Sequence, residues 1–192
     1  VHAEDYYSDK TSEDADLLYT GVEELPANFW DRASKNLESW HEQGRSFYRV
    51  RGRTAAAWTP NQFVYQPEAQ GLEAIVRRVE GDSAVLEVVR DFRRERHGVW
   101  GISARNREQN FALNLLLDPE IDRATILGPA RTGKTLLTLA AGLAQTLETN
   151  RFNEIIMTRV TIPHGADIGF LPGTEEEKME PWNRALIDKR EV

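Results

Sequence analysis

The 192-residue chain contains no cysteine, and this absence excludes several classes of chemistry. Without thiols there is no disulfide scaffold, no cysteine nucleophile and no thiolate site for zinc or an iron–sulfur cluster. The four histidines are scattered along the chain, at His2, His41, His97 and His164, which argues against a histidine metal site.

The sequence also lacks long apolar runs. The longest nearly apolar stretch, residues 136–147, includes threonine and glutamine and is too short to span a bilayer. No basic segment precedes an apolar one at the N-terminus, so we expect no signal peptide, no membrane partner and a cytoplasmic protein. The first residue is Val rather than Met, which leads us to expect a fragment of a longer protein.

Charge is distributed unevenly along the chain, whose formal net charge is −7. Residues 1–42 carry a net charge of −8, residues 43–96 of +3 and residues 97–192 of −2. The acidic first segment is a poor nucleic-acid surface, because phosphates repel it. The middle segment mixes arginine with aromatic residues. That pattern is typical of a β surface that contacts RNA or, as the interpretation we favour, of a solvated sheet face over an aromatic core.

The first half of the chain is predicted to hold two regions. Residues 1–44 are interpreted as an acidic linker and an amphipathic helix over about 27–43, where apolar residues recur at helical spacing and Gly44 ends the helix. Residues 45–96 are interpreted as a small β-rich connector domain. The four β patterns in it lie at 47–51, 62–65, 72–79 and 84–89.

Residues 97–192 alternate helix and strand patterns. Asn106 and Gln109 are typical of a capping box, with Asn106 as N-cap and Gln109 reaching back to it, and they open a helix that ends near residue 118. A second helix is predicted over 134–148. Two strands are predicted, at 124–127 and at 154–160. A last helix is predicted to start at Thr174. The fold class predicted from this order is α/β.

Residues 128–135, GPARTGKT, match the G-x-x-x-x-G-K-[ST] pattern of a phosphate-binding loop. Backbone N–H groups of such a loop surround a phosphate, and the helix that follows adds unpaired N–H groups and a positive dipole end. A strand pattern before the loop and a helix pattern after it favour a nucleotide site over a simple glycine turn. The predicted loop residues are Gly128, Pro129, Ala130, Arg131, Thr132, Gly133, Lys134 and Thr135.

Two side chains of the loop carry the predicted catalytic and metal roles. Lys134 is expected to reach the β- and γ-phosphates, and the Thr135 hydroxyl is expected to ligate Mg²⁺. Arg131 is the unusual residue. It either adds a phosphate contact or strains the loop, if its position needs a positive φ, and we favour weakened binding.

From about residue 100 to residue 182 the chain resembles the PhoH-like family of P-loop ATPases. The resemblance lies in GISARN at 101–106, in the GPARTGKT loop, in TR at 158–159 and in DIGFLPGT at 167–174. It implies the first half of a RecA-like ATPase domain that binds ATP and Mg²⁺, coupled to RNA unwinding or decay, in a family that forms homo-oligomeric rings. Residues 1–96 resemble the connector that follows a PIN-type nuclease domain in longer members.

The resemblance also implies individual roles. Gln109 corresponds to the adenine-recognising glutamine of helicases or serves as a helix cap, and one residue can do both. Thr158 and Arg159 correspond to a nucleic-acid contact at a strand end, or else to an ordinary surface. The family usually has Gly at the position of Arg131.

Hydrolysis and nuclease activity are not expected of this chain alone. It ends before any apolar strand that leads into the acidic residue of a Walker B element, and it has no PIN domain. The expected function is therefore ATP binding with little turnover. The alternatives are a non-catalytic RNA- or protein-binding module with a vestigial phosphate loop, and a decayed reading frame.

Overall fold

The computed structural model describes residues 20–33, 37–67 and 71–158. Contacts divide the chain into two units, Val1–Glu154 and Ile155–Val192. Every helix and strand in the described part belongs to the first unit, which combines a six-stranded sheet with a few helices. The α/β class predicted from the sequence is confirmed as a mixed α/β fold.

The sheet is built from six strands. They are β1 (Val22–Glu24), β2 (Glu38–Glu42), β3 (Arg45–Arg51), β4 (Phe63–Tyr65), β5 (Glu73–Glu80) and β6 (Ser83–Val88). Their order across the sheet is β1-β4-β5-β6-β3-β2. The β1–β4 pair is parallel and the other neighbours are antiparallel.

The four strands predicted for the connector are confirmed as β3 to β6, with boundaries that shift by one or two residues. The predicted turn between β5 and β6 is also present, and Gly81 adopts a positive φ of 61° in it. The sheet further includes β1 and β2, which precede residue 45. The domain boundaries themselves stay a prediction.

The helix predicted over 27–43 is wrong for most of its length. Helix α1 covers only Phe29–Ala33, and Glu38–Glu42 is an edge strand that pairs with β3. Gln43 and Gly44 form the turn between the two strands, with φ values of 48° and 77°. Two positive φ angles in a two-residue turn match the twist of a hairpin. The hydrogen bonds to β3 therefore outweigh the local helical pattern.

Each face of the sheet packs against helices. On one face, Val64, Val76 and Leu86 are buried beneath Phe29 of α1 and Ala55 of α2 (Arg53–Ala57). On the other face, Phe63 and Ile75 pack against Phe111 of α3 (Arg107–Leu117). The second contact joins the sheet to the segment that carries the phosphate-loop motif.

Helix α3 packs against α4 (Lys134–Leu143), which continues as a π-helical turn over Ala144–Glu148. Ala112 and Leu113 of α3 meet Leu137 and Ala140 of α4 in one buried cluster. The helix predicted over 134–148 is thus confirmed, with a wider last turn. Within the described residues, no helix is long and apolar enough to cross a bilayer.

Neither of the two strands predicted around the second helix forms within the residues that the structure describes. Residues 124–127 lead into the phosphate loop without strand hydrogen bonds, and residues 154–158 are neither helix nor strand. A strand needs a neighbour for its N–H and C=O groups, and no described strand pairs with either segment. Residues 159–160 and the start of the predicted helix at Thr174 lie outside the described residues.

Candidate nucleotide-binding site

The phosphate loop, residues 128–133, turns sharply before it enters α4. Gly128, Arg131 and Gly133 have positive φ angles of 151°, 65° and 88°. Gly133 is the N-cap of α4 in a left-handed conformation, which glycine adopts without a steric penalty. The loop is therefore curled by its backbone in the region that the sequence motif predicts.

The Lys134 ammonium lies across this curl. Its Nζ donates hydrogen bonds to the carbonyl oxygens of Gly128 (2.8 Å) and Pro129 (2.5 Å) and to Thr132 Oγ1 (3.3 Å). Thr132 Oγ1 in turn donates to the Pro129 carbonyl at 2.9 Å. The structure thus brings three of the predicted loop residues together around the positive charge of Lys134.

The N-terminus of α4 opens onto the same loop. Its first helical hydrogen bond runs from Leu137 N to the Gly133 carbonyl (2.9 Å), and no side chain caps Gly133. The N–H groups before Leu137 therefore have no partner within the helix, and the positive end of the helix dipole lies there. Thr135, the predicted Mg²⁺ ligand, is exposed in this first turn.

Arg131 has the positive φ that we expect to strain the loop. Its φ is +65°, and this left-handed region costs a side chain with a Cβ roughly 1–2 kcal/mol. Ala130 and Arg131 are both exposed. A phosphate contact by Arg131 stays a prediction.

Gln109 lies in the first turn of α3 and reaches the phosphate loop. Asn106 Oδ1 accepts from Gln109 N at 2.9 Å, which confirms Asn106 as the N-cap. The side chain of Gln109 does not complete the reciprocal half of the capping box. Its Oε1 accepts from Arg105 N (2.7 Å), and its Nε2 donates to the Thr132 carbonyl (3.1 Å). The predicted adenine contact stays a prediction.

A cluster around Glu73 fixes the start of α3, and sequence analysis missed it. Glu73 of β5 accepts from Arg93 at 2.9 and 3.0 Å, from Arg107 at 3.1 Å and from Asn110 at 3.4 Å. The Arg107 guanidinium also lies 3.9 Å from the centroid of the Tyr65 ring. The partners are separated by 20 to 37 residues in sequence. No local pattern marks such a cluster.

Two ion clusters set the electrostatics of this region. Asp91 belongs to the cluster around Glu73, because Arg93 pairs with both carboxylates. Burial alone raises the pKa of Asp91, but hydrogen bonds and charge from Arg93 hold that pKa below its ordinary value. Arg77 is largely buried and pairs with Glu87 (2.6 Å) and with Asp118. Burial opposes its charge, yet these carboxylates raise the pKa of Arg77 above its ordinary value.

A hairpin surface combines β2, which belongs to the acidic first segment, with β3 of the arginine- and aromatic-rich middle segment. Trp40 stacks on Phe47, with ring centroids 5.4 Å apart, and the Arg49 guanidinium lies 5.6 Å from the Trp40 centroid. Arg49 and Arg51 both pair with Glu38, at 3.0 and 3.2 Å. Part of the positive charge of this surface is therefore neutralised.

The structure gives no functional role to the remaining candidate residues, Thr158 and Arg159. Thr158 is exposed and follows no strand, while Arg159 lies outside the described residues. His2 and His164 also lie outside that part. Among the residues that the structure describes, no group of three or more His, Asp or Glu is arranged to hold a metal ion.

The segment from the turn before α3 to near the C-terminus matches a known family. Residues 101–191 match the model of the PhoH-like protein family. The chain is a partial-length match to the PhoH-like family. That match includes the phosphate loop, Lys134 and Gln109, so the site described above lies wholly within the PhoH-like segment.

Individual PhoH relatives extend the similarity. The chain is 36% identical over 191 residues to the protein PhoH2 of Bacillus subtilis, covering 98% of this chain and 40% of that relative. It is 46% identical over 91 residues to PhoH2 of Thermobispora bispora, covering 47% of this chain and 21% of the relative. The chain thus spans well under half the length of these relatives. No solved structure matches it.

Proposed function

We propose that residues 128–135 bind the triphosphate of ATP with Mg²⁺, as part of a RecA-like P-loop ATPase domain. The observation that carries this proposal is the environment of Lys134. Its ammonium contacts two carbonyls and one hydroxyl, all neutral acceptors. Among the described residues it forms no ion pair with a carboxylate. Its charge is therefore available to a phosphate.

The loop also fits the other needs of a triphosphate. The unpaired N–H groups at the start of α4 supply donors, and a helix N-terminus favours an anion. The Thr135 hydroxyl is exposed beside them and would hold the Mg²⁺ that accompanies the nucleotide. ATP with Mg²⁺ would supply a transferable phosphoryl group, and the loop residues would bind and orient it.

Titration with a fluorescent ATP analogue and Mg²⁺ tests the proposal. Lys134→Ala is expected to weaken binding by roughly 10- to 100-fold, because charge-assisted hydrogen bonds to phosphate are lost. Arg123→Ala is the matched control, since it removes one positive charge from an exposed position before the loop. Absence of binding by the parent, or equal binding by parent and Lys134→Ala, would contradict the proposal.

The PhoH-like resemblance adds finer proposals about the context of this site. ATP is an intracellular ligand, so the proposal includes a cytoplasmic location. Coupling to RNA unwinding or decay and assembly into a homo-oligomer belong to the same proposal. They rest on the family resemblance alone.

The hairpin surface supports a second candidate, a single-stranded RNA-binding module. Trp40 and Phe47 are half-buried aromatic rings beside Arg49, and aromatic rings with arginine bind single strands by stacking and charge. Salt-dependent RNA binding that survives Lys134→Ala but is weakened by Trp40→Ala would favour it. Binding that is unchanged in Trp40→Ala would exclude this surface.

A further inference from the structure

Gln109 connects the first turn of α3 to the phosphate loop through its side-chain amide. Each polar atom of the amide makes one hydrogen bond to the backbone: Oε1 accepts from Arg105 N at 2.7 Å, and Nε2 donates to the Thr132 carbonyl at 3.1 Å. A Cβ at Gly133 would lie 3.2 Å from Gln109 Nε2, closer than most Cβ contacts. The glycine that begins α4 thus leaves room for the glutamine.

The hydrogen bond to Thr132 has a consequence for the next residue. In a planar trans peptide the C=O and the following N–H point in opposite directions. Holding the Thr132 carbonyl toward Gln109 therefore directs the Gly133 N–H away from Gln109. The Gly133 N–H is one of the backbone N–H groups at the start of α4 that have no hydrogen-bond partner within the helix.

The residue that holds this peptide is itself firmly placed. Arg107 and Asn110, on either side of it, both donate to Glu73 of the sheet, at 3.1 and 3.4 Å. Asn110 is fully buried, and its Oδ1 accepts from Phe92 N at 2.8 Å. A side chain anchored in this way orients its partner instead of following it.

We infer that Gln109 is a positioning residue that orients the Thr132–Gly133 peptide for phosphate binding, and that it acts without contacting the base. The inference rests on the proposed triphosphate site. It differs from adenine recognition, because the hydrogen bonds that the Gln109 amide makes in this structure join it to the backbone of Arg105 and Thr132. The affinity for every triphosphate should then depend on Gln109, whichever base the triphosphate carries.

Calorimetric titration of the 192-residue chain with ATP, GTP and inorganic tripolyphosphate, each with Mg²⁺, tests this inference. Gln109→Met keeps the length of the side chain and removes both hydrogen bonds. Gln109→Glu keeps an acceptor for Arg105 N, removes the donor to Thr132 and adds a negative charge that repels any polyphosphate. Gln109→Met, which is neutral, is therefore the deciding variant and is expected to lower the affinity for ATP, GTP and tripolyphosphate alike, by roughly three- to tenfold, because the bond to Thr132 is lost. Gln109→Glu is expected to lower all three affinities by at least as much.

A matched control and a second measurement separate this effect from general damage. Gln145 also donates from its amide to backbone carbonyls, those of Leu116 and Ala141, but it lies in the last turn after α4. Gln145→Met is expected to leave all three affinities unchanged. In the ligand-free protein, the ¹⁵N amide resonance of Gly133 should shift in Gln109→Met, while that of Gly142 should not.

The outcomes are distinguishable. A loss of affinity for ATP alone would assign Gln109 to the adenine and overturn the inference, as would equal affinities of parent and Gln109→Met. If the parent binds none of the three ligands, the proposed function is wrong. The Gly133 resonance then still decides about Gln109, and an unmoved resonance would show that it does not hold the peptide.

Discussion

Phe111 of α3 stacks face to face on Phe63 of β4, with ring centroids 4.3 Å apart and an interplanar angle of 8°. Both rings are buried, at 3% and 2% exposure. Phe111 follows Gln109 by two positions in α3. The ring contact therefore anchors α3, the helix that bonds to the phosphate loop, on the sheet. The stability of the sheet and the geometry of the loop should therefore be linked through this pair.

Truncation of that ring tests the link. Phe111→Ala is expected to lower the free energy of unfolding by about 3–5 kcal/mol, because it removes a buried aromatic side chain and leaves a cavity. Phe111→Leu refills most of the volume and should cost clearly less. Urea unfolding followed by tryptophan fluorescence measures both. A cost below about 1 kcal/mol for Phe111→Ala would show that α3 does not depend on this contact.

Replacing Arg131 by glycine should increase both the stability of the fold and the affinity for ATP. Its φ of +65° is left-handed, so Arg131→Gly is expected to raise the free energy of unfolding by up to about 1 kcal/mol and to lower the dissociation constant for ATP. Thermal unfolding and the fluorescent ATP titration measure the two effects.

Arg131→Ala is the matched control, since it removes the charge but keeps the Cβ. It should show no gain in stability. A dissociation constant for Arg131→Gly at or above that of the parent would contradict the strain argument. Weaker binding in both variants would instead assign Arg131 to a phosphate.

Thr135 and Thr138 offer a matched pair for the Mg²⁺ prediction. Thr135 is exposed in the first turn of α4, whereas the Thr138 hydroxyl donates to the Lys134 carbonyl at 2.9 Å. Thr135→Val is expected to raise the Mg²⁺ concentration needed for ATP binding several-fold, because a metal ligand is lost. Thr138→Val should leave it unchanged. Mg²⁺ titrations that coincide for Thr135→Val and the parent would remove Thr135 from the metal site.

The pH dependence of stability should report on Asp91. Arg93 holds the pKa of this carboxyl below its ordinary value of 3.8, so the ionised form stabilises the fold. The stabilisation of the fold by ionised Asp91 is complete above the ordinary pKa. It is lost as the pH falls through the lower pKa of the folded state. We expect the parent to lose stability below about pH 4, and Asp91→Asn to show a flatter profile there.

Urea unfolding between pH 6 and pH 3 measures these profiles. Asp122→Asn is the control, since it neutralises an exposed carboxylate in the segment before the phosphate loop. Asp91→Asn and parent profiles of the same slope would show that the pairing with Arg93 does not stabilise the fold.

Local features of the chain can be predicted where the contacts that cause them lie within a short stretch of sequence. The turn at Gly81 and the cap at Asn106 are confirmed, as are strands β3 to β6 and the helix that starts at Lys134. In each case the deciding contacts lie within a few residues, or the alternation of apolar residues leaves one face to bury. The curl of residues 128–133 also belongs to this group, because a glycine and a following helix create it locally, whereas phosphate binding by this loop stays a prediction.

Contacts between distant segments decide the rest. Residues 38–42 fall within the helix predicted over 27–43 but form an edge strand, because β3 pairs with them across the turn at Gly44. Residues 124–127 have a strand pattern but remain unpaired, since the described sheet places no strand beside them. Gln109 bonds to Thr132 across 23 positions. A hydrogen bond at such separation depends on how α3 and α4 pack, which no local pattern encodes.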